Sequence, residues 1–271
     1  MNAIGTPANE TVVITGASGG IGRLLARHLA KNGTNVIAIA RPGPALDELA
    51  AAVRHEPLVA IPADVTRPSA VADAVDEGAR LLGPPTMLLT CAGTADALGP
   101  ISTIDVDRWW DAVTVDLRGT MLAIRSVLHW MVPAGHGRIV TVYGNLGDRG
   151  QPHVSAFAAA KAGIARLTET LACELTGSGV IALGIHPGFV RTAMTERLAT
   201  SVDAQRWMPD FNAHAHDNWT DGAAVVELVD RVARGAADSL AGRILHVDDD
   251  LDELVHRAAS DDDLARLRWA R

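Results

Sequence analysis

A glycine-rich segment near the N-terminus constrains the fold more than any other feature of the chain. Residues 15–22 read Thr-Gly-Ala-Ser-Gly-Gly-Ile-Gly, follow an aliphatic run at 11–15, and open a helical pattern. Glycines allow a backbone to approach a pyrophosphate, and the first turn of a helix supplies free amides and a positive dipole end. A strand, this turn and a helix in succession predict a dinucleotide site in a first βαβ unit.

Strands and helices alternate along the rest of the chain. The predicted strands are residues 11–15, 35–40, 58–61, 87–90, 138–143, 180–185 and 243–247. The predicted helices are residues 21–32, 44–54, 69–82, 105–131, 152–177 and 220–235. The strand segments lack polar alternation, which is typical of strands covered on both faces. The pattern predicts an α/β fold with a doubly wound parallel sheet in a single domain, residues 1–271.

Size and charge narrow the possible functions. The chain has 271 residues, 48% of them apolar, which suffices for one large core. The net charge is −8 and the arginines are scattered among acids, so no basic face is available to bind a nucleic acid backbone. The first residues hold neither a basic region nor an apolar stretch, and no run reaches the roughly 20 apolar residues of a membrane span. We expect a soluble, cytoplasmic protein that acts on a small molecule.

The two cysteines and the histidines carry little chemistry in this pattern. Cys91 and Cys173 each lie within an apolar segment, so we expect buried free thiols and no disulfide. His214 and His216 lie close together, but no third ligand is near them in sequence. No metal site is predicted.

Two segments depart from the regular alternation. Residues 192–220 carry large apolar side chains among polar ones without a long regular period, which suits either a mobile cover over a substrate pocket or a packed helical hairpin. The apolar residues of this segment include Met194, Trp207, Met208, Phe211 and Trp219. Residues 248–271 begin with three aspartates and continue as an amphipathic tail, which indicates a solvated C-terminal extension.

The second predicted strand ends beside a basic residue. An NAD-preferring site usually has an acid about 20 residues after the glycines, where it holds the adenosine ribose. This chain has Arg41 there and no acid. Arg41 can pair with a 2′-phosphate, so NADP(H) is favoured over NAD(H). Asp64, after the third strand, is a candidate acceptor for the adenine amine.

Taken together, these motifs resemble the short-chain dehydrogenases/reductases over nearly the whole chain. The resemblance is carried by the Thr-Gly-x-x-x-Gly-x-Gly segment, Asp64-Val65, Ala92-Gly93, Gly137-Arg138-Ile139-Val140, the segment from Phe157 to Lys161, and Pro187-Gly188-Phe189-Val190-Arg191-Thr192. It implies that Lys161 binds the nicotinamide ribose and that Val190 and Thr192 contact the carboxamide. The cofactor-binding residues it implies are Thr15, Gly16, Ser18, Gly20, Ile21, Gly22, Arg41, Asp64, Val65, Ala92, Gly93, Lys161, Pro187, Gly188, Val190 and Thr192.

The resemblance also implies that three catalytic positions have changed. The family uses an Asn, a Ser, a Tyr and a Lys to move a proton. Here Asp116 stands at the Asn position, Gly144 at the Ser position and Phe157 at the Tyr position, and only Lys161 is retained. A benzene ring cannot donate a proton, so the ordinary mechanism should fail.

Three hypotheses remain open for the function. In the first, the protein is an atypical NADP(H)-dependent oxidoreductase of a small apolar carbonyl or alcohol, with a relocated acid. The candidates for that acid are Tyr143, Asn145, His153 and Asp116, although strand alternation argues against Tyr143. In the second, it is a non-redox enzyme such as a dehydratase, isomerase, cyclase or epimerase. In the third, it is a non-catalytic partner of an active relative. The family resemblance further implies a homodimer or homotetramer.

Overall fold

One parallel sheet organises the chain. The computed structural model describes residues 10–144, 150–209, 211, 218–261, 264 and 265. In this part, seven parallel strands form a sheet in the order β3-β2-β1-β4-β5-β6-β7. The strands are β1 (Thr11–Thr15), β2 (Asn35–Ala40), β3 (Leu58–Pro62), β4 (Met87–Thr90), β5 (Gly137–Val142), β6 (Val180–His186) and β7 (Ile244–His246). The predicted doubly wound α/β fold is confirmed.

Helices cover both faces of this sheet. They are α1 (Gly20–Lys31), α2 (Pro44–Ala52), α3 (Pro68–Leu82), α4 (Val106–Val113), α5 (Gly119–Ala134), α6 (Ser155–Glu174), α7 (Ala193–Thr200), α8 (Val202–Trp207), α9 (Ala223–Ala233) and α10 (Leu251–Ala258). Within the described ranges, no helix is both long and apolar enough to cross a membrane.

Burial on both faces explains why the strands lack polar alternation. Val12 and Ile14 of β1 belong to one apolar cluster, which includes Leu25 and Leu29 of α1. Val13, whose side chain points the other way, belongs to a second cluster with residues of α3, α5 and α6. Each fully buried aliphatic side chain of this kind contributes about 1.5–3 kcal/mol to the free energy of unfolding.

Helices α6 and α9 begin and end a few residues inside their predicted bounds of 152–177 and 220–235, whereas α2 and α3 begin within one residue of theirs. Pro44 and Pro68 occupy the first turns of α2 and α3, where proline costs no hydrogen bond. Helix α9 was predicted to start at residue 220, but Thr220 forms an isolated parallel bridge with Val190. The Asp221 carboxylate then accepts the amide of Ala223, the first residue of α9.

The segment predicted as one helix over residues 105–131 is interrupted. Asp105 caps α4, and a π-helical turn, Thr114–Arg118, separates α4 from α5. The predicted helical segment is therefore present, and it contains a π-helical turn that was not predicted. Hydrophobic periodicity does not reveal one wider turn, and such π-turns are frequent at functional sites.

The two cysteines are less buried than predicted. Both are free thiols, but Cys173 is exposed and Cys91 is half-buried. The expectation of burial was wrong for Cys173 because Leu171 is the residue of this turn that faces the core. A residue two positions further along a helix points to a different side.

Strand order reverses at the carboxyl edge of the sheet between β1 and β4. The chain runs outward from β1 to β2 and β3, then returns to β4 on the other side of β1. Open parallel sheets bind their ligands in the crevice at such a reversal. The glycine-rich turn after β1 and the Ala92-Gly93 pair after β4 both lie at this crevice.

Candidate active site

The turn between β1 and α1 is packed too tightly for side chains at two of its glycines. Gly16 has a φ of +66°, and a Cβ there would lie 2.7 Å from the backbone of Ala92. A Cβ on Gly22 would lie 2.5 Å from the Gly16 carbonyl oxygen. Gly19 caps α1 without a side-chain hydrogen bond, so the first amides of α1 carry no side-chain acceptor. This turn suits a pyrophosphate at the helix N-terminus.

An ionised carboxylate lies just after β3. Asp64 Oδ1 accepts hydrogen bonds from the Thr66 amide at 2.9 Å and the Thr66 hydroxyl at 2.8 Å. The hydrogen bond from the Thr66 amide has the largest effect and lowers the pKa of Asp64. The charges of Arg41 and Arg67 lower this pKa further. Arg41 is exposed at the end of β2. Val65 is buried against Gly119.

The opposite end of the crevice is built by the segment after β6. Val190 is buried and bridges to Thr220, and Thr192 caps α7 in a reciprocal pair of hydrogen bonds with Thr195. A Cβ on Gly20 would lie 3.2 Å from Thr192 Cγ2. The glycine-rich turn and the segment 187–192 therefore meet at the start of α1. Ser18 and Ile21 lie partly buried in the same turn.

The π-helical turn places an acid in the interior beside β4. Asp116 is 0% exposed, and its Oδ1 accepts the Thr94 amide at 2.7 Å. Its Oδ2 is buried and has no hydrogen-bond partner among the described residues. Burial raises the pKa of Asp116 to about 6, although Lys161 and the Thr94 amide lower it. A side chain on Gly93 would start 3.3 Å from Oδ1, so glycine there leaves room for the carboxyl group.

Lys161 is buried at the end of β5. It is 6% exposed, and its Nζ donates to the Val142 carbonyl at 3.0 Å. Nζ also lies 5.3 Å from the centroid of the Phe157 ring. The charge of Lys161 acts on both Asp116 and Cys91, but burial dominates at Cys91 and raises its pKa to about 12. Among the described residues, Lys161 therefore donates one hydrogen bond to a carbonyl oxygen, and its charge acts on the carboxyl group of Asp116.

The residues at the expected serine and tyrosine positions face each other. A Cβ on Gly144 would lie 3.7 Å from Cε1 and Cζ of Phe157, an ordinary van der Waals contact. Phe157 packs with Leu98, Val154, Ala204 and Met208. The contact between positions 144 and 157 contains no hydroxyl group.

Comparison with known proteins assigns the family. The family model described as short chain dehydrogenase matches residues 10–203. The chain belongs to this family. As a short-chain dehydrogenase, it is an oxidoreductase of the class that binds a nicotinamide cofactor.

The relatives of this short-chain dehydrogenase differ in substrate and cofactor. The cis-4-hydroxycyclohexanecarboxylate dehydrogenase of Sinomonas cyclohexanicum is 33% identical over 89% of this chain and 96% of its own. The 2-dehydro-3-deoxy-L-rhamnonate dehydrogenase (NAD(+)) of a Sphingomonas species is 32% identical over 74% of this chain and 81% of its own. A crystal structure of the actinorhodin polyketide ketoreductase with NADPH is 25% identical, with a TM-score of 0.79 over 90% of this chain and 97% of its own.

Other predicted acids of this short-chain dehydrogenase lie in different surroundings. Tyr143 is buried edge-on to His186, with ring centroids 6.4 Å apart. His153 has a φ of +67° and packs on Trp207, with ring centroids 5.0 Å apart. Asn145 lies outside the described residues. Of the candidates, Asp116 is the one whose pKa the charge of Lys161 lowers, against the larger opposing effect of burial.

The segment after residue 192 is helical where it is described. Helices α7 and α8 pack over the Phe157 side of the site through Leu198, Ala204 and Trp207. A groove of about 260 Å³ lies beside them, lined in part by Leu98, Gly99 and Trp207. Residues 210 and 212–217 lie outside the described residues, and His214 and His216 are among them. Groups of three or more metal-ligating side chains are absent from the described part of the chain.

Sequence reasoning missed several residues of the site. The Thr94 amide, which holds Asp116, gave no sequence signal. Trp207 lies in the predicted covering segment, but its contact with His153 was not predicted. His186 was also missed, although a signal existed. A side-chain acceptor two residues before a glycine amide is the pattern of an Asx-type turn, and His186 bonds Gly188 in this way.

Proposed function

We propose that this protein is an NADP(H)-dependent oxidoreductase of small apolar carbonyl or alcohol substrates. In this proposal, Asp116 and Lys161 exchange the proton that the family normally handles with a serine and a tyrosine. The observations that carry the proposal are the fully buried Asp116 carboxyl, on which the charge of the buried Lys161 acts, and the contact between positions 144 and 157, which has no hydroxyl group.

The proposed reaction requires a hydride transfer and a proton transfer. When bound, the nicotinamide supplies or accepts the hydride. In the reduction direction, the substrate oxygen must gain one proton, and the neutral carboxyl of Asp116 can release it because burial raises its pKa to about 6. The carboxylate that remains is stabilised by the Lys161 ammonium and the Thr94 amide, and it regains a proton from water. In the oxidation direction, the same carboxylate accepts the proton.

Lys161 holds a position that supports two roles. Among the described residues, its Nζ donates one hydrogen bond, to the Val142 carbonyl, and an ammonium group has three protons, so others can be donated to a ribose hydroxyl or to the substrate oxygen. Its position over the Phe157 ring provides a weak cation–π contact. Removing Lys161 should therefore impair both cofactor binding and proton transfer.

Cofactor preference follows from the end of β2. Arg41 is exposed there, and no acid stands at the position that would hold a ribose diol. The Asp64 carboxylate beside it accepts hydrogen bonds from Thr66. A guanidinium group pairs well with a phosphate, which favours NADP(H).

The side chains around Phe157 indicate an apolar substrate pocket. Phe157, Leu98, Val154 and Met208 form one apolar cluster with the α8 helix. Replacement of a tyrosine hydroxyl by the Phe157 ring edge extends this apolar surface toward position 144. A small ketone, aldehyde or secondary alcohol with apolar substituents suits this surface.

A second candidate function has one observation in its favour. The Asp116–Lys161 pair can move protons without any hydride transfer, and no hydroxyl lies between positions 144 and 157 to bind an alkoxide. A dehydration or isomerisation on the same fold would use the pair in this way. It would form product without net consumption of cofactor.

We also propose that the protein acts as a homodimer or homotetramer. Val106 and Trp110 project one helical turn apart from α4 and are 67% and 58% exposed. Large exposed apolar residues grouped on one helix favour association. Light scattering on the wild type and on Trp110→Glu tests this.

A panel assay separates the two catalytic functions. NADPH is mixed with carbonyl substrates of differing size, and both NADPH consumption and product formation are followed for the wild type and Asp116→Asn. Oxidation of NADPH with stoichiometric product supports the oxidoreductase, and product without oxidation supports the non-redox enzyme. Absence of both in the wild type, with no binding of either nucleotide, would refute the proposed function.

A further inference from the structure

His186 is the last residue of β6 and stands directly before the Pro187-Gly188 turn. Its Nδ1 accepts the Gly188 amide at 3.1 Å. The ring thus closes the turn in the way an asparagine side chain does in an Asx turn, by accepting an amide two residues later. Gly188 has a φ of +67°, a conformation that glycine adopts without steric strain and that most other residues avoid.

The surroundings of His186 fix the ring. It is 8% exposed, stacks on His246 with centroids 4.2 Å apart, and meets the edge of Tyr143. Register explains this arrangement, because His186 pairs with His246 across β6 and β7. On the other side of the turn, a Cβ on Gly188 would lie 3.3 Å from Val247 Cγ2. The turn is held between a fixed imidazole and Val247, the residue that follows β7.

The hydrogen-bond pattern determines the protonation state that the turn requires. Nδ1 can accept the Gly188 amide only in a ring that is neutral and carries its proton on Nε2. Burial and the neighbouring His246 lower the pKa of His186 to about 4, against a smaller opposing effect of Asp248. The ring therefore remains an acceptor near neutral pH.

Nε2 shows why a purely space-filling role is a poor explanation. It is buried and has no hydrogen-bond partner among the described residues. An unpaired buried N–H is unfavourable, so an apolar side chain would fill the same volume at lower cost. The Nδ1 bond to Gly188 gives the imidazole a function that an apolar side chain lacks.

The turn leads directly to residues that face the cofactor crevice. Val190 follows Gly188 by two residues and is anchored by its bridge to Thr220. Thr192 caps α7 and lies against Gly20 of the glycine-rich turn. A change in the backbone conformation at Gly188 would therefore move both Val190 and Thr192.

We propose that His186 is a positioning residue for cofactor binding, which acts by holding the Gly188 amide and thereby orienting Val190 and Thr192. The proposal rests on the proposed function, because it assigns these two residues to the nicotinamide end of the cofactor. His186 itself is not assigned a contact with substrate or cofactor.

Two substitutions at position 186 distinguish the effect of the hydrogen bond from the effect of the imidazole ring. His186→Asn keeps an acceptor for the Gly188 amide but loses the imidazole, whereas His186→Leu fills volume without an acceptor. His246→Phe is the matched control, because it keeps a stacked ring and the Gly188 bond, and the bond it removes, from the Asp248 amide to His246 Nδ1, lies outside the 186–192 segment. Each variant is checked for folding by circular dichroism.

The first readout is the Kd for NADPH, measured by fluorescence titration of the full chain. We expect His186→Leu to weaken binding by about three- to tenfold, the equivalent of one lost hydrogen bond. We expect His186→Asn and His246→Phe to stay within about twofold of the wild type. In turnover, KM for NADPH should rise with His186→Leu while kcat changes less. Equal weakening in Asn and Leu variants, or none in the Leu variant, overturns the proposal.

The second readout does not depend on cofactor binding. Amide hydrogen exchange of the peptide covering residues 186–192 should accelerate by about three- to tenfold in His186→Leu and remain near the wild-type rate in His186→Asn. If the Leu variant does not fold, wild-type exchange in the Asn variant supports the proposal, and accelerated exchange overturns it. If the wild type binds neither NADPH nor NADH, the proposed function fails, and the exchange data still report whether His186 holds the turn.

Discussion

The ring of Phe157 lies 3.7 Å from the point where a side chain on Gly144 would begin. These positions are 13 residues apart in sequence, and the fold brings them together at the carboxyl end of β5 and the first turn of α6. Each lacks a hydroxyl, so neither can donate a hydrogen bond to a substrate oxygen. Lys161, one turn after Phe157, and Asp116 are the ionisable groups that remain close by.

Restoring both hydroxyls should create ordinary carbonyl reductase activity. A serine at position 144 meets the Phe157 ring at an ordinary contact distance, so Gly144→Ser is sterically acceptable. We expect the double variant Gly144→Ser, Phe157→Tyr to consume NADPH faster than the wild type, by up to about 10²-fold, because the phenol would add a second general acid to Asp116. The single variants serve as controls and should gain much less. No gain with the double variant would show that some other part of the site is incompatible with that mechanism.

The rate of carbonyl reduction should decline as pH rises through about 6. Burial raises the pKa of Asp116 to about 6, so its carboxyl is neutral and able to donate a proton below that pH and ionised above it. The kcat of reduction should follow the neutral form, and the kcat of oxidation should show the opposite trend. A pH profile in both directions checks this. A reduction rate that is flat from pH 5 to about 8 would remove Asp116 as the proton donor.

Asp116→Asn should stabilise the protein at high pH. The pKa of Asp116 rises from 3.8 in the unfolded chain to about 6 in the folded protein. Ionisation therefore costs nothing below pH 3.8, begins to destabilise the fold as pH rises toward 6, and imposes its full cost above 6. That cost is on the order of 1–3 kcal/mol.

Asparagine removes the charge, so the gain in free energy of unfolding should be larger at pH 8 than at pH 5. Denaturant unfolding of the wild type and Asp116→Asn at both pH values measures the difference. A gain that is equal at the two pH values would mean that the carboxyl group does not titrate in this range.

Arg41→Ala should weaken NADPH binding selectively. A charge-assisted bond to the 2′-phosphate contributes about 1.5–3 kcal/mol, so the Kd for NADPH should rise by about 10- to 100-fold. The Kd for NADH should change little, because NADH lacks that phosphate. Arg67→Ala is a suitable control, since Arg67 also acts on Asp64 but lies beyond β3. Equal losses for NADPH and NADH would refute the assigned role of Arg41.

The strands and the glycine-rich turn were predictable because their signals are local. Strands β1, β2 and β4 begin and end where predicted, since each is an aliphatic run bounded by polar or turn-forming residues. Gly16 and Gly22 were also predictable in kind, because a strand followed by spaced glycines and a helix has few other solutions. Their detailed role emerged only in three dimensions, where the Ala92 backbone and the Gly16 carbonyl exclude side chains.

The electrostatics of the site could not be read from the sequence. A carboxylate in the middle of a helical pattern is usually solvated, yet the π-helical turn buries Asp116 completely. Strand alternation gave no indication that Tyr143, His186 and His246 would lie side by side, since this depends on the register of three strands. Long-range pairing, not local propensity, determines these contacts.

A single-turnover measurement with Asp116→Asn tests the central claim most directly. NADPH consumption by excess enzyme and one accepted carbonyl substrate is followed for the wild type and the variant, and the Kd for NADPH is measured for both. The account predicts unchanged binding and a first turnover that is slower by about 10²- to 10⁴-fold, because the proton donor is lost. A variant that consumes NADPH at the wild-type rate would contradict it.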